Sequence, residues 1–147
     1  MGHIAAGQAP QRMKAILGSC IGLALYNMER KKGVMGHIVL PESAGREAAP
    51  GKFADTAVPR MLAMLKEHGV APSALVAKLA GGANMFNGSG PLRIGDANAT
   101  AVADALKRAG IRIAAQDLGG TRGRRVEFDC ATGNLTIQCA GGPARTL

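Results

Sequence analysis

Apolar residues fall into a helical spacing only twice along this chain of 147 residues. The first stretch runs from about Thr56 to His68, where Ala57, Met61, Leu62 and Leu65 recur at intervals of three and four, with Val58 beside them. Asp55 or Thr56 can cap it. Pro59 is tolerated only in a first turn, which favours Thr56 as the cap, and Gly69 ends the helix. The second stretch spans about Asp96 to Ala109, with Ala101, Val102, Ala105, Leu106 and Ala109 turned inward and Gly110 at its close. Short apolar strands surround both. Ile16 to Asn27 reads as one buried strand broken by glycines. The polar turn Glu29-Arg30-Lys31-Lys32-Gly33 follows, and Val34 to Leu40 returns as an antiparallel partner until Pro41 stops it. Leu75 to Ala80 is a strand running into Gly81-Gly82. Ile111 to Ala115, Arg125 to Phe128 and Leu135 to Gln138 are strands, the last two joined by a turn at Thr132-Gly133-Asn134. Residues 1–12 read as a loose arm and 42–52 as a loop. The order is strand pair, helix, strand, helix, strands. It predicts one mixed α+β domain over residues 1–147 rather than a repeating βαβ unit.

The charge is +8, which favours acidic partners through long-range attraction. A nucleic-acid binder adds stacking aromatics or a reading helix. With one Tyr, three Phe and no Trp spread along the chain, no nucleic-acid partner is expected. The longest apolar run, Ile16 to Tyr26, is far short of the roughly 20 residues that span a bilayer. Residues 1–11 lack the pattern of a signal peptide. A cytoplasmic protein without membrane insertion is therefore expected. The three cysteines, Cys20, Cys130 and Cys139, are odd in number and form no CxxC. That argues against a disulfide framework and a structural zinc, and leaves reduced thiols.

Leu17-Gly18-Ser19-Cys20 sets a thiol directly after a glycine turn. Small neighbours let a substrate backbone approach, and N–H groups beside Cys20 can hold an oxyanion. A lone cysteine is also commonly a small core residue, so the tetrapeptide leaves both readings open. Gly36-His37-Ile38 supplies a histidine on the return strand, and a cysteine nucleophile needs an adjacent base. His37 can equally be a satisfied core residue. A turn centred near residue 30 puts His37 opposite Ala24, four residues (roughly 13 Å) along the strand from Cys20. A kink at Gly18 or Gly22, or a shifted register, is needed to bring them together. The Arg122, Arg124, Arg125 cluster reads as solvated or as a docking patch for an acidic partner, and Cys130 and Cys139 as bystanders.

Leu17–Cys20, the GHIVLP segment Gly36–Pro41 and the 17-residue step from Cys20 to His37 resemble the CheD family of chemoreceptor glutamine deamidases. The resemblance continues through Pro50–Val58, Lys78 with the glycine loop Gly81–Phe86, Ile94-Gly95 with Asn98, and Gly119-Gly120, Gly123-Arg124 and Thr132-Gly133. It covers about residues 14–140. It implies a mixed β-sandwich flanked by helices, similar to the catalytic domain of glutamine-deamidating toxins. It implies hydrolysis of glutamine side-chain amides on methyl-accepting chemoreceptors, with Cys20 as nucleophile, His37 as base and no metal or organic cofactor. Gly81, Gly82, Asn84 and Phe86 become candidates for the substrate groove, and Ser19 with Cys20 for the oxyanion donors. The implied partners are the receptor cytoplasmic domain, an acidic helical bundle that the +8 charge suits, and a CheC-type phosphatase.

One departure bears on the chemistry. The family usually carries a Thr five or six residues before the Cys to orient the catalytic His. Here those positions are Lys14 and Ala15, whose side chains accept no hydrogen bond from an imidazole. Either a main-chain carbonyl near Lys14 takes that part, or the chain is a non-catalytic module that binds receptors or a phosphatase. Ala97 and Thr121 also stand where the family often has Arg and Asn.

Overall fold

A computed structural model describes residues 2–84 and 93–147. Five strands form one sheet in the order β1-β4-β3-β5-β6: β1 Ile4–Gln8, β3 Ile21–Asn27, β4 Lys32–Ile38, β5 Val76–Gly81 and β6 Arg112–Leu118. A second sheet runs β2-β7-β8-β9, from β2 Arg12–Leu17, β7 Arg124–Asp129, β8 Asn134–Cys139 and β9 Ala144–Thr146. Pairing is antiparallel except between β5 and β6. The helices α1, Ala54–Glu67, and α2, Ile94–Ala109, lie on one face of the five-stranded sheet. The four-stranded sheet packs on its other face. The expected α+β class and two-sheet arrangement are present, with both helices on the same side.

β3 explains the layering. All seven of its residues are buried, which suits a central strand covered on both faces. Ile21, Leu23 and Leu25 point at Met61, Leu65, Val102 and Leu106 of the helices. Cys20, Ala24 and Tyr26 point at Leu17, Val126, Phe128 and Ile137 of the second sheet. Period-two alternation thus divides one strand between two cores.

Four expectations change. The stretch Ile16–Asn27 is two strands rather than one broken strand: β2 and β3 belong to different sheets, and Gly18-Ser19-Cys20 is the crossover between them. The N-terminal residues are not a loose arm, because β1 pairs with β4 from Ile4↔Gly36 to Gln8↔Lys32. Thr56 is not the cap of α1. The helix starts two residues earlier, and the Thr56 hydroxyl donates to the Pro50 and Phe53 carbonyls at 2.6 and 3.2 Å. Pro59 therefore sits in the second turn. Finally, Arg124 is buried rather than solvated. It pairs with Asp117 at 2.6 Å and donates to the Asp117, Gly119 and Arg122 carbonyls.

Candidate active site

The hairpin register decides whether Cys20 and His37 can meet. Asn27 pairs with Lys32 and Gly22 with His37. The turn is Met28–Lys31, four residues rather than the expected five and centred one residue earlier. The Asn27 side chain accepts the Arg30 N–H at 2.8 Å, and Lys31 takes the left-handed position at φ 53°. This shift moves His37 two residues closer to Cys20. Both side chains leave the sheet on the inter-sheet face, because Cys20 and Met35 belong to that core and His37 alternates with Met35. Cys20 stands one residue before β3 and two before Gly22, the diagonal position from His37, at which sheet geometry puts Cα atoms roughly 7–8 Å apart. The residue between them is Gly22, which has no side chain to block the ring. A Cβ there would come within 2.9 Å of Leu17 Cδ1. Among the described residues, no hydrogen bond joins the thiol to the ring.

The turn carrying Cys20 is fixed through its carbonyls. Ala83 N–H donates to the Gly18 carbonyl at 3.0 Å, and Gly82 N–H donates to that of Cys20 at 2.9 Å. The Ser19 carbonyl accepts from Asn98 Nδ2 at 2.9 Å. That same nitrogen donates to the Val39 carbonyl at 2.9 Å, just past the strand that carries His37. Asn98 is fully buried in α2. One amide therefore ties the thiol's turn to the exit of the base's strand. The sequence flagged Asn98 only as part of a resemblance. A polar residue among Val102, Ala105 and Leu106 on the buried face of a helix was the available signal.

Gly81 and Gly82 stand buried behind the Cys20 turn and form its backing. Gly81 takes φ 110°, and a Cβ on it would lie 2.1 Å from the Cys20 carbonyl oxygen. Asn84 continues this segment. Its N–H donates to the Gly120 carbonyl at 2.9 Å and its Nδ2 to Asp96 at 3.0 Å. Phe86 lies outside the described residues. Lys14 points outward from β2 and pairs with Glu127 at 3.5 Å, so its ammonium is directed away from the thiol.

Burial pushes the Cys20 thiol above its ordinary value. It pushes His37 below the usual imidazole value, with His3 adding to the effect. Desolvation disfavours the charged form of each, so both groups rest neutral near pH 7 instead of as a thiolate–imidazolium pair. Alkylation of Cys20 by iodoacetamide should therefore keep accelerating past the ordinary cysteine midpoint of ~8.5. A rate that levels off below pH 7 would contradict this.

Comparisons with known proteins agree on one family. The family described as CheD chemotactic sensory transduction matches residues 39–139. A probable chemoreceptor glutamine deamidase CheD of Desulforamulus reducens is 45% identical over 145 residues, covering 95% of this chain and 87% of the relative. The chemoreceptor glutamine deamidase CheD of Thermotoga maritima is 44% identical over 126 residues, 86% of this chain and 80% of the relative. A probable chemoreceptor glutamine deamidase CheD of Symbiobacterium thermophilum is 48% identical over 131 residues, 85% and 79% of the two chains. Among the described residues, no helix is long and apolar enough to cross a membrane. With a family match over residues 39–139 and relatives 44–48% identical over most of its length, this chain belongs to the CheD family.

Proposed function

We infer that the chain is a thiol-dependent deamidase that converts glutamine side chains of methyl-accepting chemoreceptors to glutamate in the cytoplasm. The observation that carries the reading is the hairpin register, which sets His37 diagonally beside Cys20 across a bare glycine. The relatives' names supply the reaction class.

Chemistry starts from the neutral pair. His37 takes the thiol proton as sulfur attacks the amide carbon. The amide oxygen becomes an oxyanion. The Gly18 and Ser19 carbonyls are held by Ala83 and Asn98, and a trans peptide points its N–H opposite its carbonyl. The Ser19 and Cys20 N–H groups are thereby turned away from the glycine loop, toward where such an oxyanion would form. Ammonia leaves with the proton from His37, and a thioester remains. His37 then deprotonates water, which adds to the thioester. Glutamate departs and the proton returns to sulfur. The net change is amide plus water to carboxylate plus ammonium. No step calls for a metal or organic cofactor.

Incubating the protein with a receptor cytoplasmic fragment should release ammonia and convert discrete glutamines to glutamate by peptide mass spectrometry. A fragment whose glutamines stay intact would sink the reading. A second reading, a binding module for receptors or a CheC-type phosphatase, is favoured by the Lys14 position and by the lack, among the described residues, of a hydrogen bond between thiol and ring. It expects binding of the fragment with no ammonia.

A further inference from the structure

The outward face of the second sheet carries a feature that the chemistry above leaves unused. Arg12, Lys14 and Ile16 alternate outward along β2. Ile16 is 71% exposed, one of two large apolar side chains so open among the described residues. It does not stand alone. A concavity of about 740 Å³ runs across this face between Ile16, Arg125, Glu127 and Gln138 and turns the β2 edge to reach His37. A second, of about 650 Å³, shares Ile16, Arg125 and Gln138 and continues to Arg122 and Cys139. Together they make one trough with the candidate base at one end.

The trough is basic. Lys14, Arg122 and Arg125 line it, and the carboxylate of Glu127 is already engaged by Arg12 at 3.2 Å and by Lys14 at 3.5 Å. Its walls are side chains on the face of a finished sheet, so a visitor gains contacts from its own side chains. A helix with side chains is roughly 10–12 Å wide and offers one apolar stripe beside one charged stripe. That pattern matches a single exposed isoleucine flanked by arginines. We propose that this trough is the docking surface for an acidic amphipathic helix that bears the target glutamine. Its apolar stripe sits on Ile16, its acidic residues face Arg122 and Arg125, and its glutamine is delivered at the His37 end. The proposal rests on the deamidase reading for the identity of the helix.

The test measures binding rather than turnover, so the two ideas can fail separately. In a Cys20→Ala background, binding of a labelled receptor cytoplasmic fragment is followed by fluorescence anisotropy. Ile16→Asp and Arg125→Glu should each raise Kd by about tenfold or more, as truncating an interface anchor does. Binding by the parent should weaken with added salt, because exposed charges are screened over about 8–10 Å at ordinary ionic strength. Met28→Asp alters the other exposed apolar side chain, 59% open on the β3–β4 turn and outside the trough. It should leave Kd within about twofold, as surface changes away from an interface do. Both trough side chains are exposed, so matched thermal melts are expected and are checked. Binding by Ile16→Asp equal to the parent's, or no binding by the parent, overturns the proposal. Ammonia release is assayed separately on protein with Cys20 intact. Release without any dependence of binding on Ile16 defeats the trough alone. Binding that depends on Ile16 without release defeats the deamidase reading and leaves the trough standing.

Discussion

Cys20→Ala should cut ammonia release from a receptor fragment by on the order of 10⁴-fold or more, the scale of removing a nucleophile. The fold should survive. Cys20 is 8% exposed and sits at the rim of the inter-sheet core beside Leu17 and Ala80, and the substitution removes a single sulfur. The turn around it is held by main-chain carbonyls, which alanine keeps. An unchanged melting temperature with lost activity is the expected pair of results. Activity retained by the alanine variant would exclude sulfur as the nucleophile. His37→Gln is the companion variant: it keeps a polar side chain on the same strand but cannot cycle a proton, so it should also be nearly inactive.

Gly81→Ala should do more damage than any surface change, though the residue touches no substrate in the proposed reaction. Two costs combine. A backbone at φ 110° is rarely adopted by any residue with a Cβ, and the added methyl would meet the Cys20 carbonyl oxygen at 2.1 Å. Backbone has no rotamer with which to retreat, so β5 or the Cys20 turn must move. The expected loss is about 3 kcal/mol or more of stability, together with slowed alkylation of Cys20 as its turn is displaced. Gly45→Ala is a useful contrast. That glycine also has a positive φ, 78°, but a Cβ there meets nothing within 4 Å, so only the conformational part of the cost applies. Equal stability of the two variants would show that contact with the Cys20 carbonyl is not what fixes Gly81.

Both helices were legible because each has a clean apolar stripe and a terminating glycine. Gly69 and Gly110 take φ 77° and 73° as expected. The sheet assignment of Leu17 and Ile21 was not legible. Both are fully buried, so the apolar run continues smoothly across a crossover between sheets, and composition does not record which sheet a strand joins. β1 was missed because Ile4-Ala5-Ala6-Gly7-Gln8 is small, half-exposed and at a sheet edge. β9 is short and fully exposed. The hairpin was misregistered because Gly33 looked like the residue that ends the turn. It lies within β4 instead, where a Cβ would crowd the Leu25 carbonyl and the Tyr26 ring at 3.0 and 3.1 Å. Lys31 takes the strained position. The candidate pair was therefore readable as residue types at a spacing, while their approach depended on one left-handed lysine. The partners that hold the turn come from residues 82–98, beyond the reach of any local pattern.

Those distant anchors also set an order of events during synthesis. Cys20 and His37 lie within the first 37 residues of the chain, and their hairpin can pair locally. The groups that grip the thiol's turn are Gly82, Ala83 and Asn98, and Gly81 in turn receives the Gly119 N–H at 3.0 Å. Contacts that close such long loops form slowly compared with local ones. A nascent chain emerging from the ribosome thus exposes both candidate side chains well before the residues that fix their geometry have been made. The candidate pair is synthesised first and its holder last, so the geometry around Cys20 is complete only once the chain through Gly119 has been made.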